Sequence, residues 1–297
     1  MQTQIEEFLR FLTVEKGYSK HTIAAYRNDL VQFLTYLAGA GVSSWQDVSR
    51  AHILDYILYL KEREYAPSTV ARKVASVKSF FHFLMADGVL PDDPTTAVDS
   101  PVVEKPLPRP LSPEQMARLL AEPAKSETPR TLRDCALLEL MYATGMRASE
   151  VIGLKIDAVD LEAGTVRCVG KGNKERILPL HERAQETLSA YLEDGRAGLL
   201  RGREETALFV NNRGGRPLTR QGLWQIVKKY ATAAGIECQV TPHTLRHSFA
   251  THMLNGGAGL RELQQLMGHA SISSTQLYTQ VSTRRKREAY DKAHPRA

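Results

Sequence analysis

The amino-acid sequence predicts a mainly α-helical chain with two domains. The first is an N-terminal four-helix bundle, and the second is an α-rich C-terminal domain with a small antiparallel three-stranded sheet. Two observations support this prediction. The chain has 297 residues, which is long for a single hydrophobic core. Apolar residues recur at helical spacing along most of it, and one proline-rich stretch interrupts that pattern.

The first domain is predicted over residues 1–100. Its apolar residues fall into four amphipathic segments with short connections, a pattern typical of a helical bundle. The segments are Ile5–Leu12, Ile23–Leu37, Ile53–Leu60 and Val70–Leu84. On the fourth helix, Arg72, Lys73 and Lys78 lie away from most of the apolar stripe. They could contact a phosphate backbone there, or they could simply form a solvated face.

A proline-rich linker is predicted over residues 101–112. Proline cannot continue a helix and pushes the preceding residue towards extended geometry, so closely spaced prolines make a semi-rigid connection. Five prolines occur in residues 101–113. Ser112 can then cap a new helix, with Gln115 completing a capping box. The second domain is therefore predicted over residues 113–297.

The second domain is predicted to mix helices with a small sheet. A buried helix at 132–142 ends at Gly145. Three short strands follow, near Leu161, at 166–168 and at 177–180, and glycine-containing turns join them into an antiparallel meander. Further helices are predicted at roughly 181–194, 219–234, 243–255, 260–267 and 272–277.

Charge is unevenly distributed along the chain. Residues 1–105 have 11 Lys and Arg against 13 Asp and Glu, whereas the remaining residues have 28 against 20. A basic domain favours polyanions such as nucleic acid. On net charge alone, a basic surface that only confers solubility is about as good an explanation.

The cysteines and the hydropathy indicate the compartment. Cys135, Cys168 and Cys238 are far apart and lack the spacing of metal ligands, which favours buried thiols in a reducing environment. No apolar run approaches the roughly 18–20 residues that a membrane span requires. The N-terminal residues lack the pattern of a signal peptide. The sequence therefore predicts a cytoplasmic protein with no membrane partner.

The residues with the most chemical information lie near the C-terminus. Arg246 offers a planar, permanently charged fork that fits a phosphate. His243 and His269 can hold or pass a proton near neutral pH. Tyr278 can act as a nucleophile when a neighbouring group takes its proton. Together these groups predict phosphoryl transfer through a phosphotyrosine link.

Each of these residues also has a purely structural explanation, as do Arg147 and Lys171 upstream. Arg147 could pair with a nearby glutamate, and Lys171 could be exposed in a glycine-rich turn. His243 and His247 have the spacing of helical metal ligands, but no Glu accompanies them and an arginine lies between them. We expect no metal and no cofactor. The joint occurrence favours function, because the set contains nearly every group that metal-free phosphoryl transfer needs.

Longer stretches of sequence carry a resemblance to a known family. They are Ala143–Glu150, Gly170–Arg176, Thr241–His252 and Met267–Thr279. Their order and spacing closely resemble those of the tyrosine site-specific recombinases, in particular the bacterial Xer recombinases, and the resemblance extends over essentially the whole chain. The chain departs from the family at Met267, where Leu is more usual, and at Gln280, where His is common.

The resemblance implies how the bond to DNA would form. Tyr278 would be the nucleophile that attacks the scissile phosphorus and gives a 3′-phosphotyrosine and a free 5′-hydroxyl. Lys171 would protonate the leaving 5′-oxygen, and His243 would accept or donate a proton near Tyr278. No ATP would be needed, because the phosphotyrosine preserves the bond energy.

The remaining members of the implied catalytic set would stabilise charge. Arg147 and Arg246 would clamp the non-bridging oxygens of the phosphate, and His269 would hydrogen-bond the same group. Preorganised donors of this kind are commonly the largest catalytic contribution, at about 2.7–4 kcal/mol for one donor. The cationic clamp would replace the metal ion of a nuclease.

The resemblance also implies the partners. The bundle would be a SAM-like core-binding domain, and both domains would close around duplex DNA. A tail from about 284 to 297 would dock on a neighbouring protomer in a tetramer on two DNA sites, either a homotetramer or one shared with a paralogous recombinase. A DNA-translocase partner and association with the nucleoid are implied as well. The expected task is resolution of chromosome and plasmid dimers at a dif-like site.

Three alternatives remain open from the sequence. A phage- or transposon-type integrase shares the catalytic set, although many have an additional arm-binding domain before the bundle. A topoisomerase of the related tyrosine class would relax supercoils without a specific site. A non-enzymatic DNA-binding protein would need none of the six residues.

Overall fold

The computed structural model describes residues 1–99, 110–170, 175–268 and 290–296. The chain divides into two units, Met1–Pro106 and Leu107–Ala297, each with its own hydrophobic core. The α-helices of the described part are α1 (Gln2–Val14), α2 (Lys20–Gly39), α3 (Arg50–Glu62), α4 (Pro67–Ala86), α5 (Pro113–Ala121), α6 (Pro129–Thr144), α7 (Ala148–Ile152), α8 (Glu182–Ala190), α9 (Arg196–Leu200), α10 (Arg220–Ala233), α11 (Pro242–Asn255) and α12 (Leu260–Met267). The mainly α fold class predicted from the sequence is confirmed.

The first unit packs α1 to α4 around an aromatic core. Apolar residues three and four apart bring one face of each helix inwards, as Phe8 does on α1. Phe33, Trp45 and Phe80 meet in the centre, with 4.8 Å between the ring centroids of Trp45 and Phe80. Edge-on contacts of this kind add to the free energy gained by burying the rings.

A buried ion pair in this unit corrects one expectation from the sequence. Lys73 is buried, and its Nζ lies 3.1 Å from a carboxylate oxygen of Asp29 on α2. Removing that lysine from the pair would leave a buried carboxylate without one of its partners. This burial corrects the expectation that Lys73 lies on an exposed face of the helix, whereas contact of Lys73 with DNA stays a prediction. Arg72, which also pairs with Asp29, is half exposed, and Lys78 donates to the carbonyl of Val98 at 2.8 Å, so DNA contact by these two stays a prediction.

The second unit is built around α6, which is buried along most of its length and packs against α8 and α11. Three antiparallel strands in the order β1–β2–β3 lie beside it: β1 (Val159–Asp160), β2 (Thr165–Val169) and β3 (Glu175–Pro179). Val166 pairs with Leu178, and both side chains are buried. The small antiparallel sheet predicted from the sequence is confirmed.

Local differences from the predicted elements have physical reasons. The predicted helix at 181–194 is divided, because the π-helical segment Tyr191–Gly195 separates α8 from α9. Helix α7 was not predicted, since its five residues are too few to show a helical period. Cys238 is exposed, so the expectation of a buried thiol is wrong at this position. The helix predicted at 272–277 lies outside the described residues.

The structure also bears on membrane association. Within residues 1–99, 110–170, 175–268 and 290–296, none of the helices combines the length and the hydrophobicity that a bilayer span requires.

The last described segment, residues 290–296, packs on the second unit. Arg296 Nη1 lies 2.7 Å from Glu139 Oε1 on α6. His294 is buried, with its Nε2 3.2 Å from the carbonyl oxygen of Tyr142 and its ring 5.0 Å from that of His181. The segment therefore brings two titratable side chains, one on each side of the contact, into a low-dielectric environment.

This cluster predicts how stability depends on pH. Burial raises the pKa of Glu139 to about 7, although Arg296 opposes the shift, and burial lowers the pKa of His294 to about 4. As the pH falls from about 7 to about 4.5, the folded chain protonates Glu139 before the unfolded chain does, which stabilises the fold. As the pH falls from about 6.5 to about 4, the unfolded chain protonates His294 before the folded chain does, which destabilises the fold.

The variant Glu139→Gln removes the first contribution and keeps the second. We expect the stability of the wild-type chain to rise relative to this variant as the pH is lowered from 7 to 4.5, by up to about 3 kcal/mol. Melting temperatures across this range measure the difference. Glu162→Gln is the matched control, because Glu162 is exposed and does not contribute to the pKa shift of Glu139. A difference between wild type and Glu139→Gln that does not change with pH would contradict the prediction.

Candidate active site

Arg147 follows the abrupt end of α6. Gly145 ends that helix in the left-handed conformation with φ +59°, and a Cβ at this position would come within 2.2 Å of the Phe249 ring on α11. Glycine is therefore required both for the backbone conformation and for the close approach of the two helices. This approach brings the turn with Arg147 next to the helix that carries Arg246.

Arg246 is buried and held by two backbone carbonyls. Its Nη1 donates to the carbonyl of Gly145 at 2.6 Å, and its Nη2 donates to that of Met267 at 2.7 Å. Burial, followed by repulsion from Arg147, lowers the pKa of Arg246 to about 10. The guanidinium is still charged at neutral pH, and its orientation is fixed before any ligand binds.

Arg147 is more exposed than Arg246 and is oriented by its neighbours. Its Nη1 donates to Glu150 Oε1 at 3.0 Å, and its Nη2 donates to the carbonyl of Gly268 at 3.3 Å. The pairing with Glu150 that a structural role would require is thus present, yet 39% of the Arg147 side chain remains accessible. An arginine that is fixed on one side and accessible on the other is suited to bind an anion.

A third arginine joins the site, and sequence reasoning assigned it no role. Arg176 on β3 donates from Nη1 and Nη2 to Glu150 at 3.1 and 2.7 Å. Burial alone would raise the pKa of Glu150, but hydrogen bonds from Arg176 and Arg147 outweigh this and hold the pKa below its usual range. The alternation of β3 could have revealed this arginine, because Arg176 and the buried Leu178 share the inward face of the strand.

The three arginines converge on the carboxyl end of α12. The last carbonyls of a helix have no partners within it and carry the negative end of the helix dipole. Each of three successive carbonyls accepts a hydrogen bond from a different guanidinium. The pairs are Arg176 with Leu266, Arg246 with Met267 and Arg147 with Gly268.

The other predicted site residues are divided between described and undescribed positions. His243 lies on the first turn of α11, three residues before Arg246, and is exposed. Its side chain makes no hydrogen bond to any of the described residues. Lys171, His269 and Tyr278 lie outside the described residues, so their places in the site stay predictions.

The described part of this site is suited to an anion rather than a cation. Arg147 and Arg176 pair with a single carboxylate, Glu150, and Arg246 is close enough for the charge of Glu150 to affect its pKa, so the cluster carries an excess of positive charge. The two arginines that sequence reasoning assigned to a phosphate, Arg147 and Arg246, bind neighbouring carbonyls of one helix end. They therefore lie in the same site, although they are separated by about 100 positions in the chain.

Comparisons with known proteins show the family to which the chain belongs. Residues 109–285 match the family described as "Phage integrase family", and residues 5–88 match "Phage integrase, N-terminal SAM-like domain". The chain is 51% identical to "Tyrosine recombinase XerC" of Roseiflexus sp. (strain RS-1) over 284 residues, which is 95% of this chain and 90% of the relative. It is 44% identical to "Tyrosine recombinase XerD" of Halalkalibacterium halodurans over 298 residues, covering 100% and 99% of the two chains.

A solved structure has the same fold. The XerH site-specific recombinase bound to its difH substrate in a pre-cleavage complex superposes with a TM-score of 0.68 and 24% identity, over 97% of this chain and 84% of that one. The chain belongs to the phage integrase family and is an enzyme that cleaves and rejoins DNA. Within that family it is a Xer-type tyrosine recombinase, and its activity is site-specific DNA recombination.

Proposed function

We propose that this recombinase resolves chromosome and plasmid dimers at a dif-like site in the nucleoid. The observation that carries the proposal is the alignment of the whole chain with recombinases named XerC and XerD. The structurally similar XerH recombinase is bound to a difH substrate, which supports a site of the same kind for this chain.

The proposed reaction is a transesterification at phosphorus. The Tyr278 phenolate oxygen forms a bond to the scissile phosphorus while the bond from phosphorus to the 5′-oxygen breaks. Lys171 gives a proton to the leaving 5′-oxygen, and His243 takes the proton of the phenol. Rejoining is the reverse, with a 5′-hydroxyl of the partner strand attacking the phosphotyrosine, so no cofactor is consumed.

Charge develops on the non-bridging oxygens during this step. Arg147 and Arg246 are proposed to bind these oxygens, and His269 is proposed to donate a hydrogen bond to the same phosphate. The fixed orientation of Arg246 supports this role, because donors that are already in place cost no reorganisation when the reaction occurs.

The domains have proposed roles in DNA binding. Residues 1–100 are proposed to bind the core of the site, 101–112 to link the domains and 113–297 to catalyse strand exchange. The matches to a SAM-like domain and to the phage integrase family support this division. Arg72 and Lys78 are the proposed phosphate contacts of the first domain, where such contacts fix register rather than read sequence.

Strand exchange requires four active sites on two duplexes, so a tetramer is the proposed assembly, either of this chain alone or with a paralogous recombinase. The segment from about 284 to 297 is proposed to dock on a neighbouring protomer, which closes a ring through head-to-tail contacts. Residues 290–296 pack on α6 of their own chain in this structure, and the same surface is proposed to receive the tail of a neighbouring protomer. A DNA translocase is proposed as the activating partner.

A plasmid assay tests the proposed function. The sites come from covalent adducts trapped on genomic DNA, whose attachment points are sequenced. We expect a supercoiled plasmid with two directly repeated copies of such a site to be resolved into two circles, and a plasmid without the site to stay unchanged. Relaxation of both plasmids would favour a topoisomerase, and retention of both without cleavage would favour a DNA-binding protein. Either outcome would contradict the proposal.

A further inference from the structure

Arg176 is buried beside the candidate active site, and all three nitrogens of its guanidinium are engaged. The side chain is 10% exposed. Nη1 and Nη2 donate to the two carboxylate oxygens of Glu150, and Nε donates to the carbonyl of Leu266 at 3.0 Å. Arg176 is therefore directed towards protein groups rather than towards the space in which a substrate would bind.

Glu150 connects Arg176 to Arg147. The same two carboxylate oxygens accept hydrogen bonds from the side chain of Arg147 at 3.0 Å and from its backbone N–H at 2.8 Å. Only 6% of the Glu150 side chain is exposed, so water cannot readily replace a lost guanidinium. The position of Arg147 thus depends on a carboxylate whose other partner is Arg176.

Arg176 also contacts the turn that ends α12. Gly268 has φ +63°, and a Cβ added there would lie 3.0 Å from Arg176 Nη1. The backbone of the turn therefore packs closely against the guanidinium. The neighbouring carbonyls of this turn accept hydrogen bonds from Arg246 and Arg147. Replacing Arg176 would therefore also disturb the positions of Arg246 and Arg147, because all three side chains bind the same end of α12.

We propose that Arg176 is a positioning residue for strand cleavage, which fixes Arg147 through Glu150 and holds the carboxyl end of α12 as part of the same unit. The assignment rests on the proposed function, in which Arg147 binds the scissile phosphate. Lysine cannot replace this arginine, because a single ammonium cannot bind two carboxylate oxygens and a carbonyl in one planar arrangement.

The test uses Arg176→Lys in the full-length chain. The substrate is a duplex with a nick next to the scissile phosphate, so that the cleaved fragment diffuses away and the covalent adduct accumulates. We expect the single-turnover rate of adduct formation at saturating enzyme to fall about 100-fold, as a small misplacement of catalytic groups can cause. The affinity for the uncleaved duplex should change by less than about twofold, because the number of exposed cations is kept.

A second substrate separates positioning from general structure. A methylphosphonate at the scissile position removes one negative oxygen and with it part of the need for the arginine clamp. We expect the loss caused by Arg176→Lys to shrink at least about tenfold on this substrate, since the loss arises from a misplaced Arg147. Glu150→Gln, which breaks the same link from its other side, should give the same dependence on substrate charge. Arg183→Lys on α8, where the arginine is half exposed, is the matched control and should cleave both substrates like wild type.

The outcomes are distinguishable. Wild-type cleavage rates in Arg176→Lys overturn the assignment, as does a loss of equal size on both substrates. A melting temperature that falls in proportion to the lost activity in both Arg176→Lys and Glu150→Gln also overturns it, because the residues would then only stabilise the fold. The absence of any adduct with the wild-type chain would instead overturn the proposed function itself.

Discussion

Replacement of Tyr278 by phenylalanine is expected to abolish covalent attachment of the protein to DNA and to leave DNA binding unchanged. Phenylalanine lacks the only oxygen that the proposed reaction uses as a nucleophile, so no residual cleavage is expected. The ring keeps its size and its apolar surface, so the structural role that Tyr278 could otherwise have would be preserved. The two roles therefore give opposite outcomes for this one substitution.

The measurement is a denaturing gel of protein and labelled nicked duplex, together with a binding titration on the intact duplex. Tyr18→Phe is a matched control, because Tyr18 is exposed on the first unit and its hydroxyl has no proposed role. We expect Tyr18→Phe to form the adduct at the wild-type rate. An adduct that persists in Tyr278→Phe would contradict the nucleophile assignment and would show that another side chain attacks the phosphorus.

The fold could be predicted from the sequence wherever a short-range signal determines it. The helical spacing of apolar residues gave α1 to α4, and capping residues such as Ser112 marked helix starts that the structure contains. The elements that escaped prediction are those without such a signal. Helix α7 is shorter than two turns, and the π-helical segment at 191–195 leaves the apolar pattern of the surrounding helices almost unchanged.

Several residues of the candidate site could be predicted from the sequence, but the residues that they contact could not. Arg147 and Arg246 were selected by their chemistry and by a resemblance, and the structure brings them to one helix end. The partner of Lys73 lies 44 residues earlier on another helix, so its burial has no local signature. The same holds for Arg176, whose carboxylate and carbonyl partners are 26 and 90 residues away. Contacts of this range depend on the packing of helices, which a periodic pattern does not specify.

Replacement of Arg246 by lysine is expected to lower the rate of strand cleavage by about 10²–10³-fold, the usual effect of removing one preorganised donor. The arginine binds carbonyls at 2.6 and 2.7 Å and still has N–H groups left for a phosphate. A lysine in the same buried position can satisfy one carbonyl, and the other would cost about 1–3 kcal/mol if it stayed unpaired. Both stability and catalysis are therefore expected to fall.

Arg196→Lys separates these two effects. Arg196 is buried as well, and its Nη2 binds the carbonyls of Glu205 and Ala207 at 2.5 and 2.7 Å, but it has no proposed contact with DNA. We expect both variants to lose a similar number of degrees in melting temperature, with cleavage reduced only in Arg246→Lys. Equal losses of cleavage in the two variants would contradict the catalytic assignment. If only Arg246→Lys loses cleavage, the free-energy cost of burying this charge and aligning it with two carbonyls is incurred during folding. The guanidinium then binds the phosphate without further reorganisation.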